Sequence, residues 1–218
     1  MLNLKNKIAL SLLLLSGIPI TNQLSAQDID NDFQTRTEFK LTLNPFKKVT
    51  FSFAPEIRWD ENFTVSKYHL ESQVSYKPIK GLSLSTSYRF IVNPQNTNTT
   101  EYFHRFALDA NYGRKVYRWE PSVRIKYTNY TEDASTGDFL RYKAKLAYDI
   151  KDFKLTPYVS AEAFHDISAN EMYKMRYSLG ASYKLNKHNS IKLGYALDYY
   201  MLEYRNKHVL NIAYKYKF

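Results

Sequence analysis

The chain has 218 residues, no cysteine and a formal charge of +10, with a mean hydropathy of −0.51. No disulfide framework supports it, and beyond residue 26 no run approaches the ~20 consecutive apolar residues that a spanning helix requires, which excludes a helical membrane protein. A basic excess of this size suits nucleic acid, an anionic solute or an acidic lipid surface.

In chain order, the first element is an export signal over residues 1–26. Lys5 and Lys7 form a basic head, Ile8 to Leu15 an apolar stretch, and Leu24-Ser25-Ala26 a small-residue cleavage site before Gln27. Export sets nucleic acid aside as a partner. The remainder, residues 27–218, reads as one domain. Its aromatic load of 20 Tyr, 13 Phe and 2 Trp is strongly β-biased, because rings and branched side chains suit a pleated surface.

From Asp32 onward the pattern is strand after strand with a period of two. In the segment from Leu140 to Ile150, Leu140, Tyr142, Ala144, Leu146, Tyr148 and Ile150 alternate against Arg141, Lys143, Lys145, Ala147 and Asp149. Eleven such segments are predicted, at about 32–43, 48–58, 66–77, 82–92, 102–113, 117–129, 139–150, 154–165, 172–184, 190–202 and 207–218. Each approximates the ~9–11 residues of a tilted membrane strand or slightly exceeds it. Tight turns on one side and longer polar loops on the other, Asn93 to Thr100 and Thr131 to Asp138, are the expected asymmetry of an outer-membrane barrel. The fold class expected is therefore all-β: a transmembrane, antiparallel, up-and-down β-barrel of 10–12 strands after a cleaved signal peptide. Single-chain bacterial barrels close with an even number, so eleven segments imply either ten strands in the closure or a missed twelfth. A soluble sandwich fits poorly, since the apolar face is crowded with Tyr, which favours interfaces. The apolar face is assigned to lipid and the charged face to the lumen.

Aligning every second strand on the residue before its tight turn exposes a repeat. Tyr76, Tyr112, Tyr148, Tyr183 and Tyr214 occupy equivalent positions and form a candidate periplasmic aromatic girdle. Seven residues earlier, on the opposite face, stand His69, Arg105, Arg141, Arg176 and Lys207, with Arg36 in register if Leu43 anchors the first strand. They are predicted to form a basic collar roughly 17 Å from the girdle. Glu38, Glu56, Glu71, Asp109, Glu162 and Asp198 are the candidate acidic partners. Two interiors follow: a sealed, ion-paired one, in which each charge offsets the other's desolvation, or an open constriction that attracts anions. Inward Gly180 and Gly194, beside Ser178 and Ala196, make a small-residue patch that Tyr158 or Phe164 is suited to fill.

No catalytic site is expected. His104 and His208 face outward, His165 and His188 lie at strand ends or turns, and inward His69 has no serine within reach on its face. His165-Asp166 alone makes a weak metal signal, and neither a metal nor another cofactor is expected.

The last strand ends on Leu210, Ile212, Tyr214, Tyr216 and Phe218 at every second position, which resembles the signal read by the barrel-assembly machinery. Pro55 to Asn62, Ser87 to Phe90, Pro157 to Phe164, Arg176 to Gly180 and that final strand resemble the domain-of-unknown-function 2490 (DUF2490) family of outer-membrane barrels. The resemblance implies export to the outer membrane of a Gram-negative bacterium and contact with its lipid, but no activity. The function expected is a barrel of structural or interaction role, with a narrow porin for anionic solutes or acidic saccharides, and a lipid-modifying enzyme, as alternatives.

Overall fold

The computed structural model describes residues 30–94, 100–129 and 137–218; the expected signal peptide, residues 1–26, lies outside them. Eleven strands follow one another: β1 (Asp30–Phe46), β2 (Val49–Trp59), β3 (Val65–Tyr76), β4 (Leu82–Pro94), β5 (Thr100–Gly113), β6 (Trp119–Thr128), β7 (Phe139–Tyr148), β8 (Leu155–Asp166), β9 (Glu171–Lys184), β10 (Asn189–Tyr200) and β11 (Arg205–Lys217). They close into one barrel in sequence order, with β1 between β2 and β11. Closure gives every strand two partners and removes the sheet edges.

The all-β barrel of 10–12 strands is present with eleven, and the expected even closure at ten or twelve, antiparallel throughout, is corrected here. All eleven segments enter the closure, and β1 pairs with β11 in parallel. A ribbon that reverses at each turn leaves its first and last strands codirectional when their number is odd. A parallel ladder is slightly weaker per residue, and the seam offsets this by length, running without a register shift from Asp30↔Arg205 to Thr42↔Lys217. Side-chain parity survives the join. Outward Phe39 stacks on Tyr214 at 5.4 Å and Phe33 on His208 at 4.7 Å, while inward Arg36 lies opposite Asn211.

The two longer loops expected, Asn93 to Thr100 and Thr131 to Asp138, fall largely outside the described residues. One end, the turn end, carries residues 47–48, 77–81, 114–118, 149–154 and 185–188; the other, the loop end, carries 60–64, 95–99, 129–138, 167–170 and 201–204. The links 167–170 and 201–204 are as short as the turns, made possible in the first by Asn170 at a φ of 53°, a left-handed conformation that asparagine tolerates.

The two faces divide as the alternation predicts. Phe106, Leu108, Val123, Ile125, Val159, Tyr177, Leu179 and Leu193 are all exposed on the outside. The inside is buried and largely polar, including Arg36, Arg58, His69, Arg105, Lys126, Glu162, Lys174, Asp198 and Lys207. Rings in a central core with arginines in solvent would have overturned the reading; the reverse arrangement is present.

Tyr158 lies where the small-residue patch invites it. Gly180 on β9 and Gly194 on β10 are direct register partners, and Tyr158 on β8 pairs with Gly180. A β-carbon at Gly180 would meet the Leu193 carbonyl oxygen at 2.5 Å and the Gly194 Cα at 2.7 Å, both backbone. At Gly194 the nearest obstacle is the Tyr158 hydroxyl, a side-chain tip. Gly180→Ala is therefore expected to cost about 1–3 kcal/mol, as overpacking does, whatever stands at 158. Gly194→Ala should be rescued by Tyr158→Phe. Denaturant midpoints of the two glycine variants, of Tyr158→Phe and of the two double variants check this, and equal rescue of both glycine substitutions would refute it.

A polar lumen as the candidate functional site

Period-two strands deliver charge to the lumen from every side. On β2, Glu56 lies 2.6 Å from Arg58 and 3.5 Å from the Nδ1 of His69 on β3. Glu71 on β3 accepts from Arg89 on β4 at 2.7 Å and lies 3.9 Å from Arg105 on β5. On β8, Glu162 accepts from Arg124 of β6 at 2.8 Å, lies 2.8 Å from Arg141 of β7, and accepts from Lys143 at 3.4 Å. Asp198 on β10 accepts from Arg176 at 2.5 Å and from Lys174 at 3.0 Å, both on β9. Glu71, Glu162 and Asp198 thus each serve at least two cations.

Of the six collar positions, Arg36, Arg105, Arg141 and Arg176 come together on one central cavity of about 180 Å³. His69 and Lys207 do not line it. His69 accepts from Arg89 at 2.9 Å and Lys207 pairs with Asp32 at 3.1 Å. Of the acidic candidates, Glu56, Glu71, Glu162 and Asp198 make the ion pairs above, whereas Glu38 and Asp109 are half-buried with no ion pair among the described residues. Tyr76, Tyr112, Tyr148, Tyr183 and Tyr214 all lie outward at the turn end, as do Tyr216 and Phe218, with Leu210 and Ile212 higher on the same face of β11.

Sequence reasoning missed the other half of the network. Arg58, Arg89, Arg124 and Lys126 also line the cavity, and all stand on the alternate strands that the repeat alignment passed over. Counting parity on those strands would have placed them on the inward face, though not at one height. Tyr173 could not have been found so. Between β8 and β9 the register jumps from Phe164↔Lys174 to His165↔Met172, and this bulge, which re-aims a side chain, turns the intervening Tyr173 against Phe139 at 5.7 Å and Tyr200 at 5.5 Å. These three buried rings cover the lumen toward the loop end. Beneath them Phe164 receives Arg141 at 4.3 Å, Lys174 at 4.9 Å and Arg176 at 5.3 Å over its ring. Such desolvated cation–π contacts each contribute up to about 2 kcal/mol.

Outside the strands, Lys115 and Asp149 join two turn-end connections by a hydrogen bond. That bond raises the Lys115 ammonium and lowers the Asp149 carboxyl from their ordinary values. With the Asp149 carboxyl depressed in the fold, its contribution is present at neutral pH and lost as pH falls through the carboxylate range. Among the described residues no cluster of three metal-ligating side chains exists.

A closed barrel with an apolar exterior and an ion-paired interior is what fold and lumen define. The chain belongs to the DUF2490 family, proteins of unknown function, whose model matches residues 33–207. No curated protein matches it.

Glu162→Gln should expose the network's dependence on its most heavily engaged carboxylate. Arg124, Arg141 and Lys143 would lose their shared counter-charge, and removing one partner of a buried pair costs about 3–5 kcal/mol. Chemical denaturation of the folded barrel measures the loss; a change under about 1 kcal/mol would show that water already screens the site.

Proposed function

We propose that the chain is an outer-membrane β-barrel of a Gram-negative bacterium with an occluded lumen, acting as a structural or interaction barrel rather than as a pore or an enzyme. The observation that carries this reading is the central cavity. Side chains from nine strands, β1 to β9, converge on a space of about 180 Å³, with the Phe139, Tyr173 and Tyr200 rings beyond it. Intermediate strand numbers lie between small filled barrels and open porins, and the converging arginines favour the filled case here.

The membrane placement rests on the exterior. Exposed aromatic and aliphatic side chains run around all the strands, whereas the largest apolar patch on a soluble monomer is about 300–600 Å². In this reading the turn end is periplasmic and its tyrosines form a girdle, extended by Trp119 against Tyr148 at 4.7 Å and by Phe218 against Tyr216 at 4.7 Å. Residues 1–26 direct export, the final strand is handed to the barrel-assembly machinery, and lipid is the lasting partner. No catalytic step is included, because inward His69 is engaged by Arg89 and Glu56.

Purified barrel reconstituted into planar bilayers is expected to give no conductance steps in symmetrical potassium chloride. Reproducible steps with anion preference would replace the occluded reading with a narrow porin, and steps with cation preference would argue against both.

A further inference from the structure

The central cavity carries more positive charge than its carboxylates balance. Nine basic side chains line it, together with Glu56 and Glu71. Glu162 and Asp198, bonded to lining residues from just outside, raise the acids to four. Buried charge needs a partner to offset its desolvation, and here nine cations share four carboxylates.

Two groups on β6 locate the deficit. Lys126 is 7% exposed and lines the cavity, with no hydrogen bond or ion pair among the described residues. Asp109 stands opposite it in register yet forms no ion pair within 4 Å among the described residues. Arg124, two residues earlier, gives one end of its guanidinium to Glu162 and leaves its buried Nε without a partner. Both side chains are held on a paired strand, so the geometry is built rather than adopted on binding.

Toward the turn end the polar lining continues. A second cavity of about 170 Å³ shares Arg36, Glu56 and Arg176 with the first and is lined further by Lys143, Lys192 and Tyr158. Lys145 and Lys192 each lie 4.8 Å from the Tyr158 ring and make no ion pair among the described residues. Toward the turn end Lys145 is half-buried and Lys192 exposed, whereas Phe139 and Tyr200 toward the loop end are buried.

We infer that the central cavity is a binding site for a small multivalent oxyanion of the phosphate class, admitted from the turn end past Lys145 and Lys192 and held by Lys126, Arg124, Arg105 and Arg141. Lysine supplies a compact point charge and arginine a planar fork, a combination suited to phosphate oxygens. Among the described residues the Phe139, Tyr173 and Tyr200 rings cover the loop end, so the site binds rather than conducts. The inference rests on the occluded-barrel reading for that last property alone.

The test uses the full barrel, refolded in detergent and dialysed free of phosphate. Pyrophosphate and inorganic phosphate are titrated by calorimetry and by thermal unfolding, against sodium chloride at matched ionic strength. Saturable binding with a rise in Tm is expected for pyrophosphate, and weaker binding for phosphate. Lys126→Met is expected to lower pyrophosphate affinity at least tenfold while raising the Tm of the anion-free barrel, because it removes an unbalanced buried charge. A merely structural lysine would not separate these two effects. Lys145→Gln with Lys192→Gln should slow association severalfold with little change in the anion-free Tm. A pyrophosphate response no greater than that of sodium chloride overturns the site, as does unchanged affinity in Lys126→Met. Should that variant fail to fold, the wild-type titration decides. Conductance steps would overturn occlusion and leave this titration readable.

Discussion

A ribbon closed on itself has two faces and no edges, and the strict alternation of side chains makes those faces chemically opposite. Everything else in this barrel follows from keeping that alternation in phase around eleven strands. A one-residue slip at any ladder would carry an arginine outward and a leucine inward. The seam is where phase is most at risk, because β1 and β11 meet without a connecting turn. There the register of Arg36 with Asn211 and of Phe39 with Tyr214 keeps inward with inward and ring with ring.

Charge inside such a barrel is costly unless it is shared. The four clamped carboxylates are therefore also joints that tie adjacent strands together through their side chains. Glu162 reaches β6 as well as neighbouring β7, spanning two ladders at once. Phe164, with three cations on its ring, serves the same end with quadrupole in place of charge. The interior is thus cohesive by polar contacts where a soluble domain relies on apolar packing, and its buried hydrophobic cluster shrinks to Phe139, Tyr173 and Tyr200.

Much of this was legible in the residues because a half-buried strand writes its geometry at a period of two. The eleven segments fall within a few positions of the observed strands, and the inward face of each follows from one parity choice. The Gly180 and Gly194 patch also announced that a ring would fill it, and of the two candidates, Tyr158 and Phe164, it is Tyr158 that lies there. What stayed hidden depends on non-local facts. Whether β1 meets β11 is a matter of closure, and no residue in either strand encodes its partner's direction. The inward turn of Tyr173 comes from a register jump, which the local alternation contradicts. The convergence of Arg58, Arg89 and Arg124 on one cavity needs strand stagger as well as parity.

The odd number of strands separates the two ends of the chain. Asp30 begins β1 at the loop end, and Phe218 follows β11 at the turn end, its amide bonded to the Thr42 carbonyl at 3.0 Å. Even-stranded barrels return both termini to one compartment. Here the first strand starts at one rim and the last finishes at the other, so the order of strands itself tells the two rims apart.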